Sequence, residues 1–324
     1  MELKKEKEFK KIAILTSGGD APGMNAVIRT FFLTAKEKYK IYGIKDGFLG
    51  LYKNQIEELL EKNFPNRILN VSGTFLGTSR FKEFKTNEEI RKKCFQNLKQ
   101  KDIETLIIIG GNGSYKGAFV LSKLGLKCIV IPATIDNDIN YNDFTIGFST
   151  AVNNITQTIE KLRDTSISHN RCSIIEVMGR NKGDLALYGG IAKGVDIIIT
   201  PEFPISEEEI LEKVKLLYNS KKRHVIIILT ENIFNIFKLA KKIQTYTKFE
   251  TRSQVLGYIQ RGGNPTAEDL FLSSQMGNYA FVLLEREIYN VGVSLYKGNL
   301  CFFKLKKIIK KKIIQNPLIK FIKN

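Results

Sequence analysis

The chain has 324 residues, which is long for a single hydrophobic core and favours two packed α/β lobes. Its net charge of +18 comes from 40 lysines and 11 arginines against 33 acidic residues, but no helix-turn-helix, zinc-finger or RNA-binding aromatic motif accompanies it, so we expect no nucleic-acid partner. No apolar stretch is long enough to span a bilayer, residues 1–10 are charged unlike a signal peptide, and the four cysteines lack metal-site spacing. We therefore expect a cytoplasmic protein without a membrane partner.

Short runs rich in Ile, Val and Leu alternate along the chain with helix-length amphipathic segments. Because these runs are continuously apolar, they indicate parallel strands that are buried on both faces. In chain order, the runs and the loops that follow them are Lys11–Leu15 with Thr16–Asp20, Thr105–Ile109 with Gly110–Ser114, Cys128–Ile131 with Thr134–Asp138, Cys172–Val177 with Met178–Arg180, Ile197–Ile199 with Pro201 and Glu202, and Val225–Leu229 with Thr230 and Glu231. Since the carboxyl ends of parallel strands share one edge of a sheet, we expect these loops to form a ligand-binding edge.

The loop after the third run contains two carboxylates and a threonine, namely Thr134, Asp136 and Asp138. At the end of a buried strand these side chains are candidates for catalysis. The alternative is an ordinary turn, because Asp and Asn favour turns by hydrogen-bonding to their own backbone.

Glycine-rich turns open two of the predicted helices. Residues 16–25 lead into a helix with Val27, Phe31 and Ala35 on one face, and Gly110–Ser114 precede a second amphipathic segment. Backbone N–H groups and the helix dipole favour phosphate at such helix starts. Neither turn is a Walker A loop or a dinucleotide-binding fingerprint, so the pattern alone indicates only generic phosphate binding.

Arginine is scarce, yet it recurs in loop-like segments. Its planar fork of donors grips phosphate oxygens at two points, which lysine does not do. These arginines therefore indicate a ligand with several phosphates; they are Arg80, Arg163, Arg171, Arg180, Arg252 and Arg261.

Several motifs occur in consistent order between about Lys11 and about Leu284, and together they are far more specific than any one of them. They are residues 16–25, Gly73–Gly77, Thr134–Asp138, Ile146–Phe148, Glu176–Arg180 and Gly257–Gly263. On these motifs the chain resembles the ATP-dependent 6-phosphofructokinases of the bacterial type. The resemblance implies two similar three-layer, Rossmann-like α/β lobes with largely parallel sheets and the active site between them.

The resemblance also implies the lobe boundaries and the ligand-binding residues. The ATP-binding lobe would comprise residues 1–144 and 262–305, and the fructose-6-phosphate-binding lobe residues 145–261 and 306–324. Positions that match the family's ATP contacts are Gly19, Arg80, Phe81, Gly111, Asn112, Gly113 and Ser114. Positions that match its sugar-phosphate contacts are Thr134, Ile135, Asp136, Met178, Gly179, Arg180, Glu231 and Arg261, with Arg171, Arg252 and Tyr258 reaching a neighbouring subunit's site. A homotetramer is the expected assembly.

The implied reaction is the transfer of a phosphoryl group from MgATP to the 1-hydroxyl of fructose 6-phosphate, a step of glycolysis. Asp136 would accept the hydroxyl proton and Thr134 would help to hold the transferring group. Arg80 and Arg180 would offset charge on the equatorial oxygens, Asp138 would position its surroundings, and Mg²⁺ would bridge the β- and γ-phosphates.

Departures from the family pattern qualify these expectations. Asn112 stands where an aspartate close to the metal is expected, so Mg²⁺ should be held less tightly. Ala133 and Gly113 occupy positions at which pyrophosphate users have Lys and Asp, which favours ATP. Tyr258 replaces a phosphate-contacting histidine and keeps a donor without a possible positive charge.

The family's effector site is matched only in part, by Arg29, Arg163 and Lys222. Leu33 and Ser220 replace expected basic residues, so the allosteric site looks depleted. Two functional alternatives remain: a non-catalytic regulatory paralogue, for which Asn112 is the motive, and a basic nucleic-acid binder, which would require a steeply salt-dependent affinity.

Overall fold

The computed structural model describes residues 9–310 and 316–318. Their contacts divide them into two compact units. The first comprises residues 9–134, 139–147 and 264–310, and the second residues 135–138, 148–263 and 316–318.

The lobe boundaries expected from the sequence differ from this division in four short segments. Residues 145–147 and 306–310 belong to the first unit, whereas 135–138 and 262–263 belong to the second. Two sets of contacts explain part of the difference. Leu305 and Ile308 are buried in a core of the first unit, and the Asn137 side chain donates a hydrogen bond to Asp184 in the second. The expected tail segments 311–315 and 319–324 lie outside the described residues.

The structure describes eleven strands, six of which follow the predicted apolar runs closely. In chain order they are β1 (Lys10–Ser17), β2 (Tyr39–Ile44), β3 (Ile56–Glu58), β4 (Ile103–Gly110), β5 (Lys127–Pro132), β6 (Cys172–Val177), β7 (Ile197–Ile199), β8 (Val225–Thr230), β9 (Thr251–Val255), β10 (Val291–Tyr296) and β11 (Asn299–Lys304).

Helices separate most of these strands. They are α1 (Met24–Ala35), α2 (Gly47–Tyr52), α3 (Glu83–Thr86), α4 (Glu88–Lys99), α5 (Asn112–Lys123), α6 (Phe148–His169), α7 (Asp184–Ala192), α8 (Glu207–Asn219), α9 (Ile236–Thr247), α10 (Ala267–Glu285) and α11 (Leu305–Ile308), with 3-10 helices at Glu61–Asn63, Asn66–Asn70 and Gly257–Arg261.

The first unit contains a seven-stranded sheet in the order β11-β10-β5-β4-β1-β2-β3. Its five inner strands pair in parallel, and β11 and β3 add antiparallel edges. Successive residues of β1 face opposite sides of this sheet: Ile12 and Ile14 enter one apolar core, and Ala13 and Leu15 enter another. Both faces are therefore covered, as the continuously apolar strands predict.

The second unit contains a four-stranded, all-parallel sheet in the order β7-β8-β6-β9. It too has an apolar core on each face, with Ile174 in one and Ile175 in the other. The prediction of an α/β fold with two three-layer units and largely parallel sheets is confirmed.

Among the described residues, no helix combines the length and the apolar character that crossing a bilayer requires.

Candidate active site

The loops after β1 and β4 lie side by side in the first unit, because these strands are neighbours and the strand order reverses between them. Such reversals create a ligand-binding crevice at the carboxyl ends of the strands. Ser114 Oγ joins the two loops by donating to the Ser17 carbonyl oxygen at 3.0 Å. A Cβ on Gly110 would lie 2.3 Å from that same oxygen, so only glycine fits there. Gly19 follows in the first of these loops.

The start of α5 has the features of an anion site. Its N-cap residue, Gly111, supplies no capping side chain, and its first turn contains no acidic residue. Such a start presents backbone N–H donors and the positive end of the helix dipole. A Cβ on Gly113 would have no atom within 4 Å among the described residues, so space for a phosphate exists beside the helix start. The predicted ATP-binding residues from Gly111 to Ser114 are thus brought together.

A hydrogen bond ties the loop that carries Arg80 and Phe81 to the loop after β1. Thr78 Oγ1 donates to the Gly18 carbonyl oxygen at 2.9 Å. The Phe81 ring packs against Tyr52 with 5.7 Å between ring centroids, whereas Arg80 is exposed. Arg80 is therefore carried on an anchored loop of the first unit and is accessible to a ligand.

Thr134 follows β5 at the carboxyl edge of the sheet in the first unit. Its backbone N–H donates to Ile146 O at 3.0 Å, and its carbonyl oxygen accepts from Thr145 Oγ1 at 2.6 Å. A Cβ on Gly111 would approach Thr134 Cβ to 3.3 Å. The threonine thus lies directly beside the start of α5.

In the second unit, Asp136 combines burial with a dense set of charged neighbours. Its side chain is only 7% exposed, and burial, reinforced by the negative charge of Asp138, raises the pKa of Asp136 from 3.8 to about 6. The guanidinium groups of Arg180 and Arg261 act in the opposite direction, and the Glu231 carboxylate raises the pKa further. A carboxyl group that titrates near neutral pH suits proton transfer.

The loop after β6 holds Arg180 in an unusual backbone conformation. Gly179 and Arg180 both have positive φ, +139° and +57°, and the second value is costly for a residue with a Cβ. Two buried or half-buried side chains stabilise the loop: Glu231 Oε1 accepts from the Arg180 N–H and Gln260 Oε1 from the Met178 N–H, each at 3.1 Å. The loop is therefore fixed by its neighbours.

The 3-10 helix at Gly257–Arg261 contains one buried and one exposed candidate. Arg261 is 9% exposed and belongs to the surroundings of Asp136. Tyr258 is 78% exposed. Asn154 Nδ2 holds the end of this helix by donating to the Gln260 and Gly262 carbonyl oxygens at 3.2 and 2.8 Å.

Two of the predicted sugar-phosphate residues lie at the other end of the same sheet. Arg171 directly precedes β6 and Arg252 lies near the start of β9, whereas Arg180 follows the carboxyl end of β6. A six-residue strand separates these ends by roughly 20 Å. Arg171 and Arg252 both pair with Glu250 Oε1, at 2.9 and 2.7 Å. Within one chain, the structure does not bring them to the residues around Asp136.

Comparison with known proteins gives this arrangement a context. The sequence profile of the phosphofructokinase family matches residues 11–284. An ATP-dependent 6-phosphofructokinase from Photobacterium profundum is 51% identical over 277 residues, which are 85% of this chain and 86% of that protein. Another from Spiroplasma citri is 49% identical over 286 residues, 88% and 86% of the two chains. The chain belongs to the phosphofructokinase family.

Solved phosphofructokinase structures share the fold. The Pichia pastoris phosphofructokinase superposes with a TM-score of 0.85 at 30% identity, over 94% of this chain and 36% of that one. A pyrophosphate-dependent phosphofructokinase from Nitrosospira multiformis has the same TM-score at 19% identity, over 95% and 86% of the two chains. At that identity the second likeness concerns the fold alone. The predicted family is confirmed.

The candidate effector residues of this phosphofructokinase family member are distributed over both units. Arg29 lies on α1 of the first unit, whereas Arg163 and Lys222 belong to the second. Arg163 donates to the Lys193 carbonyl oxygen, and Lys222 forms an ion pair with Asp196. Both second-unit cations therefore have internal partners at the amino edge of the sheet.

Family membership implies a Mg²⁺ ion, for which the described residues provide few protein ligands. Among the described residues, no group of three or more His, Cys, Asp or Glu side chains is arranged to hold a metal ion. Asn112 is the first residue of α5, the helix start at which a phosphate is expected. This donor set fits a Mg²⁺ ion that keeps most of its ligands from phosphate and water.

Three buried or half-buried polar residues of the second unit were missed by sequence reasoning, namely Gln260, Lys182 and Asp184. Gln260 lies inside a family motif and is completely buried, yet its side chain anchors the Met178 N–H. Lys182 and Asp184 follow Arg180 closely, and that proximity was the only available signal.

Proposed function

We propose that this protein transfers the γ-phosphoryl group of MgATP to the 1-hydroxyl of fructose 6-phosphate and so forms fructose 1,6-bisphosphate. The observation that carries the proposal is the buried Asp136, whose pKa of about 6 makes it an effective proton acceptor near neutral pH. The family's ATP-dependent members supply the reaction class.

Asp136 accepts the proton of the 1-hydroxyl as that oxygen attacks the γ-phosphorus. A new P–O bond forms to the sugar, the bond to the β–γ bridging oxygen breaks, and ADP leaves. Arg180 and Arg80 offset negative charge on the equatorial oxygens, and the Thr134 hydroxyl donates to the transferring group. Burial, reinforced by the charge of Asp138, keeps the pKa of Asp136 high.

The first unit binds ATP in this proposal. The uncapped start of α5, Gly19 and the loop with Arg80 and Phe81 receive the nucleotide, and the open space at Gly113 receives a phosphate. Ala133 and Gly113 lack the charged side chains that pyrophosphate users are expected to have at these positions, which favours ATP as the donor. Mg²⁺, when bound at the phosphates near Asn112, supplies positive charge that neutralises the β- and γ-oxygens.

The second unit binds the sugar phosphate through Asp136, Arg180 and Arg261, together with the neighbouring Ile135, Met178, Gly179 and Glu231. Arg171, Arg252 and Tyr258 contribute from a second copy of the chain, because a single copy holds Arg171 and Arg252 at the opposite sheet edge. We expect the protein to form a homotetramer and to work in the cytoplasm. Arg29, Arg163 and Lys222 would be the remnants of an effector site, and both expectations remain predictions.

The test is a coupled assay for fructose 1,6-bisphosphate with ATP or pyrophosphate as donor in excess Mg²⁺. ATP-dependent product formation that is lost in Asp136→Asn is expected. Activity with pyrophosphate alone, or none with either donor, would contradict the proposal. The alternative of a non-catalytic regulatory subunit gains no support, since the relatives are named as enzymes.

A further inference from the structure

Asp184 is the first residue of α7 and is almost completely buried. Both oxygens of its carboxylate have hydrogen-bonding or ionic partners. Lys182 Nζ lies 2.7 Å from Oδ2, and Asn137 Nδ2 donates to the same oxygen at 2.9 Å. Asn316 Nδ2 donates to Oδ1, also at 2.9 Å. A buried carboxylate needs such partners, and none of them has a role in the proposed reaction.

This cluster fixes the turn that carries the proton acceptor. Asn137 stands between Asp136 and Asp138 and adopts a left-handed backbone with φ of +49°. Its side chain is bound by Asp184, and its carbonyl oxygen accepts from Lys182 Nζ at 2.5 Å. The turn is therefore held at two points on one residue, on both the backbone and the side chain.

The same cluster fixes the loop that carries Arg180. Lys182 belongs to that loop, and its N–H donates to the Gly179 carbonyl oxygen at 3.0 Å. The next residue, Gly183, donates its N–H to the Glu202 carboxylate at 3.0 Å. One ammonium group thus connects the Arg180 loop to the Asp136 turn within the second unit.

We propose that Lys182 and Asp184 are positioning residues that hold Asp136 and Arg180 in their relative orientation. The inference rests on the proposed roles of Asp136 and Arg180 in phosphoryl transfer. A displacement of about 1 Å of a reacting group costs on the order of 10²-fold in rate, so loss of the connection should lower kcat more than it weakens substrate binding.

Lys182→Met tests the connection by removing the ammonium while keeping a long side chain. We expect kcat to fall about tenfold or more while the KM values change less than about twofold, and Lys182→Arg to recover most of kcat because it retains charged donors. Lys242→Met is the matched control: it removes an exposed lysine of α9 that pairs with Glu207 of α8 in the same unit, and it should leave kcat unchanged.

A second variant pair separates positioning from general loss of structure. In an Asp136→Asn background, Lys182→Met should lower kcat by a clearly smaller factor than in the unsubstituted enzyme, because only its effect through Arg180 remains. Equal losses in both backgrounds, or a kcat equal to that of Lys242→Met, would overturn the inference. Near-normal turnover of Asp136→Asn alone would overturn the role of Asp136 itself.

Asn137→Gly serves if Lys182→Met does not fold. Glycine accepts the left-handed backbone but removes the amide that binds Asp184. We expect a reduction in kcat of about threefold or more, with thermal unfolding checked in parallel. An unchanged kcat in a folded Asn137→Gly enzyme would contradict the inference.

Discussion

Two carboxylates at opposite ends of the second unit's sheet experience opposite electrostatic environments. At the amino edge, a hydrogen bond from Arg171, with the positive charge of Arg252, lowers the pKa of Glu250. At the carboxyl edge, burial and Asp138 raise the pKa of Asp136 although Arg180 and Arg261 oppose the shift. Glu250 at the amino edge is matched by two arginines of the same chain, whereas Asp136 at the carboxyl edge is poised to take up a proton.

The physical reason for this difference is solvent access. Glu250 is half-buried, keeps access to water and pairs with Arg171 and Arg252, so its charged form is favoured. Asp136 is enclosed, and desolvation disfavours its charged form more than nearby cations favour it. We infer that the carboxyl edge carries the chemistry and that the amino edge serves contacts with ligands or other copies.

The largest expected effect concerns Asp136 as a base. Asp136→Asn keeps the shape of the side chain but removes the proton acceptor, so kcat should fall about 10² or more while fructose 6-phosphate still binds. Steady-state kinetics and direct binding measure the two quantities. Near-normal turnover would remove the functional distinction between the two edges.

The same substitution should stabilise the fold at high pH. The pKa of Asp136 is raised in the folded protein, so its proton stabilises the folded state below about pH 4 and this contribution is lost as pH rises through about 6. Two pKa units correspond to about 3 kcal/mol. Urea unfolding at several pH values should show Asp136→Asn more stable by up to that amount at pH 8, with the difference shrinking towards pH 4.

If the difference in unfolding free energy between Asp136→Asn and the unsubstituted protein does not depend on pH, burial does not raise the pKa of Asp136. Glu250→Gln is the comparison at the amino edge. The pKa of the Glu250 carboxylate is lowered in the folded protein. Glu250→Gln should therefore reduce the free energy of unfolding above about pH 4, which is opposite to the effect of Asp136→Asn.

The next expected effect tests whether the amino edge serves another copy. Arg252→Ala removes a guanidinium that would donate hydrogen bonds to the sugar phosphate. It should raise the KM for fructose 6-phosphate by about 10- to 100-fold, as expected for a hydrogen bond to a charged group. Mixing Arg252→Ala with Asp136→Asn subunits should restore sites that combine an intact Asp136 with an intact Arg252. No recovery on mixing, with mixed oligomers demonstrated, would argue against shared sites.

A smaller effect is expected at the carboxyl edge of the first unit. Asn112→Asp adds a carboxylate near the expected metal position, and should lower the Mg²⁺ requirement and raise kcat on the order of tenfold if about 1.4 kcal/mol of transition-state stabilisation returns. Initial rates against Mg²⁺ at saturating ATP and fructose 6-phosphate measure this. Superimposable curves for the two forms would mean that phosphates and water hold the metal and that Asn112 is neutral.

The smallest effect is expected from effectors. Leu33 and Ser220 supply no positive charge, and the Lys222 ammonium is already paired with Asp196. ADP and phosphoenolpyruvate should therefore shift the fructose-6-phosphate saturation curve by less than about twofold at fixed MgATP. A strong shift by either ligand would show that the remaining cations are enough to form an effector site.

The sequence by itself determined six of the eleven described strands, the largely parallel sheets and the family. Continuous apolar runs such as Thr105–Ile109 are specific for strands buried on both faces, and the loops that follow them carry glycine and acidic residues in a characteristic order. These features are local along the chain, so they can be recognised before folding is known. Roles for individual site residues came only through the family resemblance and remain predictions.

Tertiary structure alone decided the environment of each candidate. Burial, the adjacent Asp138 and three charged residues from distant parts of the second unit set the pKa of Asp136, and the strand direction separated Arg171 from Arg180. The connection from Lys182 and Asp184 to Asn137 also spans more than forty residues of sequence. Spacing in the sequence does not encode such contacts, because they depend on which strand and loop ends the folded sheet brings together.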